Sequence, residues 1–257
     1  MNLDSALWVR PLVNRPNAGR RLVFFPHAGG AAGYFRPLSA ALPPDVEPVA
    51  IQYPGRQDRR REPPASSIDE LADAMAEVLG DSPAHTPTFF FGHSMGAIVA
   101  FEVIRRYERA NGTAPMGLIA SGRGAPAICK QELLHTRTDA DVVREVRRLN
   151  GTESDLLDDP DLRAMILPAI RADYRAIEGY QFNGGLPVKV PVHAFVGTSD
   201  PRVTVAEAEA WRQHTSAEFQ LRTFPGGHFY LTEVPVAGLA AEVARSVRSF
   251  EAPARVA

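Results

Sequence analysis

The apolar positions of the chain alternate between two patterns. Short unbroken runs at 22–25, 46–51, 88–91, 116–121, 190–196 and 219–224 have the length and the branched or aromatic content of fully buried strands. Between them, apolar residues recur every three or four positions. Tyr34, Phe35, Leu38 and Leu42 form one such face, and Ile68, Leu71, Met75, Val78 and Leu79 another. Further helices are expected over 95–111, 205–214 and 234–250. Ser67 and Glu70 have the spacing of a capping box opening the second helix. Strands apolar on both sides, alternating with helices, imply an α/β fold: a mostly parallel sheet with helices on both faces.

One stretch breaks this rhythm. From about 122 to 189 no strand pattern is found; helices are expected over 138–149, with Thr138 as cap, and over 161–180, interrupted at Pro168. A helical insertion into a βα series is expected to act as a lid. The expectation is one domain, 1–257, carrying that insertion.

Composition narrows the classes. The chain has 257 residues, 45% of them hydrophobic and 23% charged, the balance of a folded globular protein. Its 28 Lys+Arg against 30 Asp+Glu give a net charge of −2, without the basic excess of a nucleic-acid binder. Cys129 is the only cysteine, which excludes an intrachain disulfide and a Cys-rich zinc site. No apolar run reaches the ~18 residues of a membrane span, and the first residues do not read as a secretory signal. The expected location is the cytoplasm.

The chemistry concentrates in a few places. Gly92-His93-Ser94-Met95-Gly96 is a G-x-S-x-G motif between a strand and a helix, the setting in which the serine sits on a strained turn with its hydroxyl exposed at the sheet's carboxyl end. A serine hydroxyl needs a base. Of the seven histidines, His228 lies in a glycine loop after the last strand, in the order Ser, acid, His that this motif's fold predicts. His93 is expected to pack away from the site, His193 to be buried, and His85, His135 and His214 to lie at the surface. Asp200, directly after a strand, is the expected acid, with Asp173 and Glu178 as weaker alternatives. The oxyanion donors are expected to be the backbone N–H groups of Met95 and Ala28, with Gly29 as an alternative to Ala28; the loop 25–33 is rich in Gly and Ala.

Five motifs together resemble the type II thioesterases, free-standing α/β-hydrolases that accompany polyketide and nonribosomal peptide synthases. They are Phe25-Pro26-His27-Ala28-Gly29-Gly30, Tyr53-Pro54-Gly55-Arg56, Gly92-His93-Ser94-Met95-Gly96, Gly197-Thr198-Ser199-Asp200 and Gly226-Gly227-His228-Phe229. The resemblance implies hydrolysis of acyl thioesters on the phosphopantetheine arm of an acyl or peptidyl carrier protein, clearing aberrant acyl groups. No cofactor or metal is needed for that reaction, and neither a membrane nor a nucleic acid is expected as partner. Without the resemblance the residues stop at a serine hydrolase. A carboxylesterase or lipase on free esters, a catalytically silent binding protein and a product-cyclising thioesterase stay open. The Arg-rich segment after Gly55 reads either as a plain solvated loop in an Arg-rich protein or as a docking patch for an acidic carrier protein through Arg56, Arg59 and Arg60. Arg56, next to the Tyr53-Pro54-Gly55 turn, could instead brace the loop near the active site.

Overall fold

The structure is a computed structural model, and it describes residues 4–80, 86–110, 112, 114–128, 130, 132–149 and 157–251. His85, Cys129 and position 111, the expected end of the helix over 95–111, lie outside the described residues. The strands are β1 (Val9–Pro11), β2 (Arg20–Phe25), β3 (Val46–Ile51), β4 (Thr88–His93), β5 (Leu118–Ser121), β6 (Val192–Gly197) and β7 (Phe219–Phe224). They form one sheet in the order β1-β3-β2-β4-β5-β6-β7. β1 runs antiparallel to β3, and every other pairing is parallel. The pattern had no signal for β1: three residues ending in proline hold no apolar run, and proline, which has no N–H to give, is tolerated at a sheet edge.

The helices are α1 (Ser5–Trp8), α2 (Arg36–Ala41), α3 (Ile68–Gly80), α4 (Met95–Arg109), α5 (Asp139–Arg148), α6 (Pro160–Glu178), α7 (Val205–Glu209), α8 (Tyr230–Glu233) and α9 (Val236–Phe250). Successive strand residues face opposite layers. Leu22 and Phe24 pack with α2 and α9, whereas Val23 and Phe25 pack with α3, α4 and the insertion helices. Both faces are therefore covered, which is why the strands read as continuous apolar runs. Each fully buried aromatic or aliphatic side chain contributes about 1.5–3 kcal/mol relative to exposure.

Several boundaries differ from expectation for local reasons. α6 is unbroken through Pro168. Proline removes one backbone hydrogen bond there, and burial of its neighbours Leu167, Ala169 and Ile170 holds the turn. Its start is set by Asp159, whose carboxylate accepts from the N–H groups of Asp161 and Leu162 (2.8 and 3.1 Å). The helix expected over 205–214 tightens into a 3₁₀ turn from Ala210, and the one expected over 234–250 begins after Pro235. At α3, Glu70 N–H donates to Ser67 Oγ (3.1 Å), but the Glu70 carboxylate reaches Ser66 rather than Ser67 (2.7 Å). The capping box thus closes one residue earlier.

Topology places the site. From β2 the chain steps outward to β3, then crosses back over β2 to β4. The loops that follow β2 and β4 therefore leave these neighbouring strands in opposite directions, opening a crevice at their carboxyl ends. The Ala28 loop follows β2, and Ser94 follows β4.

Candidate active site

Ser94 has φ 54° and ψ −116°, a backbone conformation that costs a non-glycine residue about 1–3 kcal/mol. The surroundings impose it. Ser94 N–H donates to Ser121 O (2.8 Å), and Ser94 O accepts from Ala97 N–H (3.1 Å). A Cβ on Gly92 would stand 2.3 Å from Gly96 O, and one on Gly96 2.0 Å from Phe25 O. Helix α4 meets β4 at Gly92 and the end of β2 at Gly96 at distances that only glycine allows, and the serine between them is lifted out of the sheet.

The structure brings Ser94, His228 and Asp200 together. His228 Nε2 lies 3.0 Å from Ser94 Oγ, and His228 Nδ1 lies 2.8 Å from Asp200 Oδ2. The other carboxylate oxygen, Asp200 Oδ1, accepts from the N–H groups of Arg202 (2.8 Å) and Val203 (3.2 Å). The loops bearing acid and base are in backbone contact. Ser199 N–H donates to Gly226 O (2.9 Å), and a Cβ on Gly197 would meet Gly227 O at 2.2 Å. The side chains of His228 and Asp200 are 3% and 0% exposed, so water does not compete for the bond between them.

Met95 is the first residue of α4, so its N–H has no intrahelical partner. Ala28 N–H likewise makes no hydrogen bond among the described residues. The alternative, Gly29, is committed elsewhere: its N–H donates to Asp173 Oδ2 (2.7 Å). Asp173 is thereby removed as an alternative triad acid. So is Glu178, whose carboxylate accepts from Leu134 N–H (2.8 Å) and pairs with His135 Nδ1 (2.5 Å).

His93 is fully buried behind the elbow, its Nδ1 2.9 Å from Ser121 Oγ, which in turn lies 2.7 Å from Tyr230 OH. His27, His93 and His228 pack ring to ring, with centroids 5.9 and 5.3 Å apart. Burial holds the His27 imidazole down to about 3, aided by His228 and Arg56, and holds His93 well below its ordinary value. Both rings are therefore neutral beside the base. His193 is buried in mid-strand. His214 is not a surface residue: it is 6% exposed, wedged against Phe101, Phe182 and Trp211. His135 is half-buried by its pairing with Glu178.

The expected docking patch is corrected in the same way. Arg56 and Arg59 are 6% and 4% exposed, and only Arg60 of the three reaches solvent. Arg56 Nη2 donates to both oxygens of Asp173 (2.8 and 2.9 Å). Arg59 donates to Gln52 O (2.8 Å) and Glu62 Oε1 (2.9 Å), and lies 4.0 Å over the Trp8 ring. The turn after Gly55 carries these guanidinium groups inward, where carboxylates, a carbonyl and an indole receive them.

Beside Ser94 and His228 is a narrow cleft of about 40 Å³, walled by Tyr174 and Ile177 of α6 and by Arg202 and Val203. Arg202 crosses from the Asp200 loop to Glu145 of α5 (2.8 Å) and to Glu132 (2.8 Å). Hydrogen bonding from Arg148, then from Arg202, holds the Glu145 carboxyl down to about 2 against the opposing effect of burial. No local pattern marks Arg202, because its partners lie in another part of the chain.

A mostly parallel sheet with a strained serine at the carboxyl end of a central strand, facing a histidine from the loop after the last strand, defines an α/β-hydrolase. Comparison with known proteins narrows this. The model of the Thioesterase domain matches residues 20–248, and the chain belongs to that thioesterase family. The thioesterase PikA5 of Streptomyces venezuelae is 44% identical over 233 residues, 91% of this chain and 83% of that protein. A probable cadicidin biosynthesis thioesterase of Streptomyces griseus is 46% identical over 229 residues; the match takes in 89% of this chain but 63% of that protein, under two thirds of its length. Among solved structures, the type II thioesterase BorB from the borrelidin biosynthetic cluster matches with a TM-score of 0.86 and 43% identity, covering 96% of this chain and 100% of that one. The family read from the five motifs is the family found. No helix among the described residues is long and apolar enough to cross a membrane.

Proposed function

We propose that this thioesterase hydrolyses acyl groups held as thioesters on the phosphopantetheine arm of acyl or peptidyl carrier proteins, clearing aberrant groups from polyketide or nonribosomal peptide synthases in the cytoplasm. The observation that carries the chemistry is the Ser94–His228–Asp200 relay, with two hydrogen bonds of 3.0 and 2.8 Å in series. The kinship to PikA5 and BorB supports the choice of substrate.

In this reading Ser94 Oγ attacks the thioester carbonyl carbon while His228 Nε2 takes the hydroxyl proton. Asp200 keeps the Nδ1 proton in place and stabilises the imidazolium. The carbonyl oxygen becomes an oxyanion, held by the N–H groups of Met95 and Ala28. Collapse of the tetrahedral intermediate breaks the C–S bond, and the departing sulfur takes the proton from His228. Water then enters, gives its proton to His228 and attacks the acyl-serine. The second collapse returns the proton to Ser94 Oγ and releases the carboxylic acid.

The insertion at about 122–189 is assigned as the lid of a single domain. The cleft beside Ser94, about 40 Å³, holds roughly three waters at ~10–15 Å³ each. Tyr174 and Ile177 of α6 line that cleft, so movement of α6 is expected to set how long an acyl chain can enter. The test compares one acyl group on a carrier protein, on a small thiol and on an oxygen ester, with Ser94→Ala as control. Preference for the carrier-bound thioester, abolished by Ser94→Ala, is expected. Faster hydrolysis of the oxygen ester would make the protein an esterase instead.

A further inference from the structure

The insertion does more than cover the cleft. Ile170 and Asp173, three residues apart and so on one face of α6, both rest on the loop that follows β2. Gly29 has φ +78°, and a Cβ there would stand 2.6 Å from Ile170 Cγ1. Asp173 Oδ2 accepts the Gly29 N–H at 2.7 Å. Arg56 closes the arrangement from the other side: its Nη2 spans both Asp173 oxygens, Nη1 lies 3.5 Å from Gly30 O, and its guanidinium carbon lies 5.1 Å from the centre of the Tyr53 ring. Asp173 is 1% exposed. A buried ion pair of this kind gives little net stability over an apolar pair of similar volume, so its presence needs another reason.

The peptide planes supply one. A peptide unit is rigid and planar, with C=O and N–H on opposite sides. His27 C=O and Ala28 N–H share one unit, and that C=O is fixed by Gly30 N–H at 2.9 Å. Ala28 C=O and Gly29 N–H share the next unit, and that N–H is fixed by Asp173. Both units flanking the Ala28 Cα are therefore pinned, one by the turn itself and one by α6. An oxyanion donor must stand about 2.7–3.1 Å from where the charge develops, and an ångström of misplacement can cost ~10²-fold in rate. We infer that Asp173, held by Arg56, is a positioning residue that sets the Ala28 N–H as an oxyanion donor, so that the inserted helix completes the catalytic site. The inference rests on the thioesterase mechanism proposed above and extends it to a charge pair outside the triad.

The experiment separates positioning from mere support of the fold. Asp173→Leu combined with Arg56→Met replaces the buried pair by apolar side chains, which is often neutral for stability. Arg56→Lys leaves a cation and leaves the Asp173 carboxylate free to accept Gly29 N–H, while losing the guanidinium contacts. Each variant is measured for thermal midpoint, for kcat and KM on a small acyl thioester, and for inhibition by an acyl trifluoromethyl ketone, whose adduct with Ser94 carries an oxyanion. Gly29 amide hydrogen exchange is followed alongside. The double apolar variant is expected to lose about 10²–10³-fold in kcat, with KM changed less than about threefold on the same reasoning. It should lose ketone affinity in proportion and show faster Gly29 exchange, with its thermal midpoint lowered by no more than one unpaired buried N–H explains. Arg56→Lys is expected to lose more in thermal midpoint but less than about tenfold in kcat, because the acceptor remains. Losses that track thermal midpoint across both variants, or unchanged Gly29 exchange in the double variant, would overturn the inference. Undiminished turnover by Ser94→Ala would instead overturn the mechanism, and Gly29 exchange would still judge the brace.

Discussion

Replacing Asp200 by asparagine changes one atom, and the structure dictates how the amide must lie. Oδ1 of Asp200 accepts two backbone N–H groups, from Arg202 and Val203. An amide NH₂ cannot face two donors, so the asparagine oxygen must occupy that side. Its NH₂ is then turned to His228 Nδ1, 2.8 Å from the original Oδ2. The imidazole must accept that hydrogen bond at Nδ1 and carry its own proton on Nε2, the atom 3.0 Å from Ser94 Oγ. A base with its proton already in place cannot take another from serine. The expected loss is about 10⁴-fold in kcat, the cost of a wrong tautomer in a Ser-His-Asp relay, or about 5.4 kcal/mol at 1.36 kcal/mol per decade. The assay is single-turnover acylation with a small thioester at saturating substrate, with ¹⁵N shifts of His228 reporting the tautomer. The fold should survive, since no volume changes. A fall in kcat of less than tenfold, or an Nδ1-protonated ring in the variant, would refute the assigned roles of Asp200 and His228.

Stability should decline on mild acidification because histidines that are buried and neutral in the fold take up protons once the chain unfolds. His27 and His193 are held down to about 3 and about 4 by burial, below the ~6.5 of an unfolded histidine; the unfolded chain therefore binds more protons as pH falls below ~6.5, and stability drops from there toward the folded values. For His193 alone the loss between pH 7 and pH 5 is about 2 kcal/mol, and His193→Leu should remove that share of the slope in urea unfolding; an unchanged slope would contradict it. Arg59→Glu should destabilise by about 3–5 kcal/mol by placing an unpaired carboxylate where Arg59 meets Gln52 O and Trp8, whereas Arg60→Glu should stay within about 0.5 kcal/mol, both read from chemical denaturation. Ile177→Ala, in the wall of the cleft, should raise kcat/KM for a longer acyl group over acetyl by about tenfold; an unchanged ratio would show that the acyl chain does not lie along α6.

The three residues proposed as the triad, which the structure brings together, were legible because each belongs to a local pattern. Ser94 stands in a glycine-bounded turn between a strand and a helix, Asp200 directly follows a strand, and His228 sits in a glycine loop. Chain order then allowed only a few combinations. Ala28 was proposed as an oxyanion donor from the small residues around it, and its N–H makes no hydrogen bond among the described residues. Arg59 was misread and Arg56 left between docking and bracing because a run of like charges looks the same whether it faces water or folds inward; of the three, Arg60 alone is exposed. The partners of Arg56 and Arg59 include Asp173, 117 residues away, and the Trp8 ring, and no local pattern announces such distances. His214 was misplaced for the same reason: besides the nearby Trp211, the aromatic cage that buries it comes from Phe101 of α4 and from Phe182.

Periodicity and turn chemistry are local, so the sequence by itself determined the alternation of buried strands with helices, the inserted helices with Thr138 as cap, and the nucleophile motif with the family it resembles. Tertiary structure decided whatever depends on which surfaces meet. It added the antiparallel β1 at the sheet edge, where three residues need only a neighbouring strand to pair with. It carried α6 through Pro168, since packing on both sides outweighs one missing hydrogen bond. It turned Asp173 from a possible triad acid into the acceptor of Gly29 N–H, and Arg56 from a possible docking residue into that acid's partner. Burial set those roles: in a low-dielectric interior a charge must find its counterpart wherever the fold brings it, and the fold is a property of the whole chain.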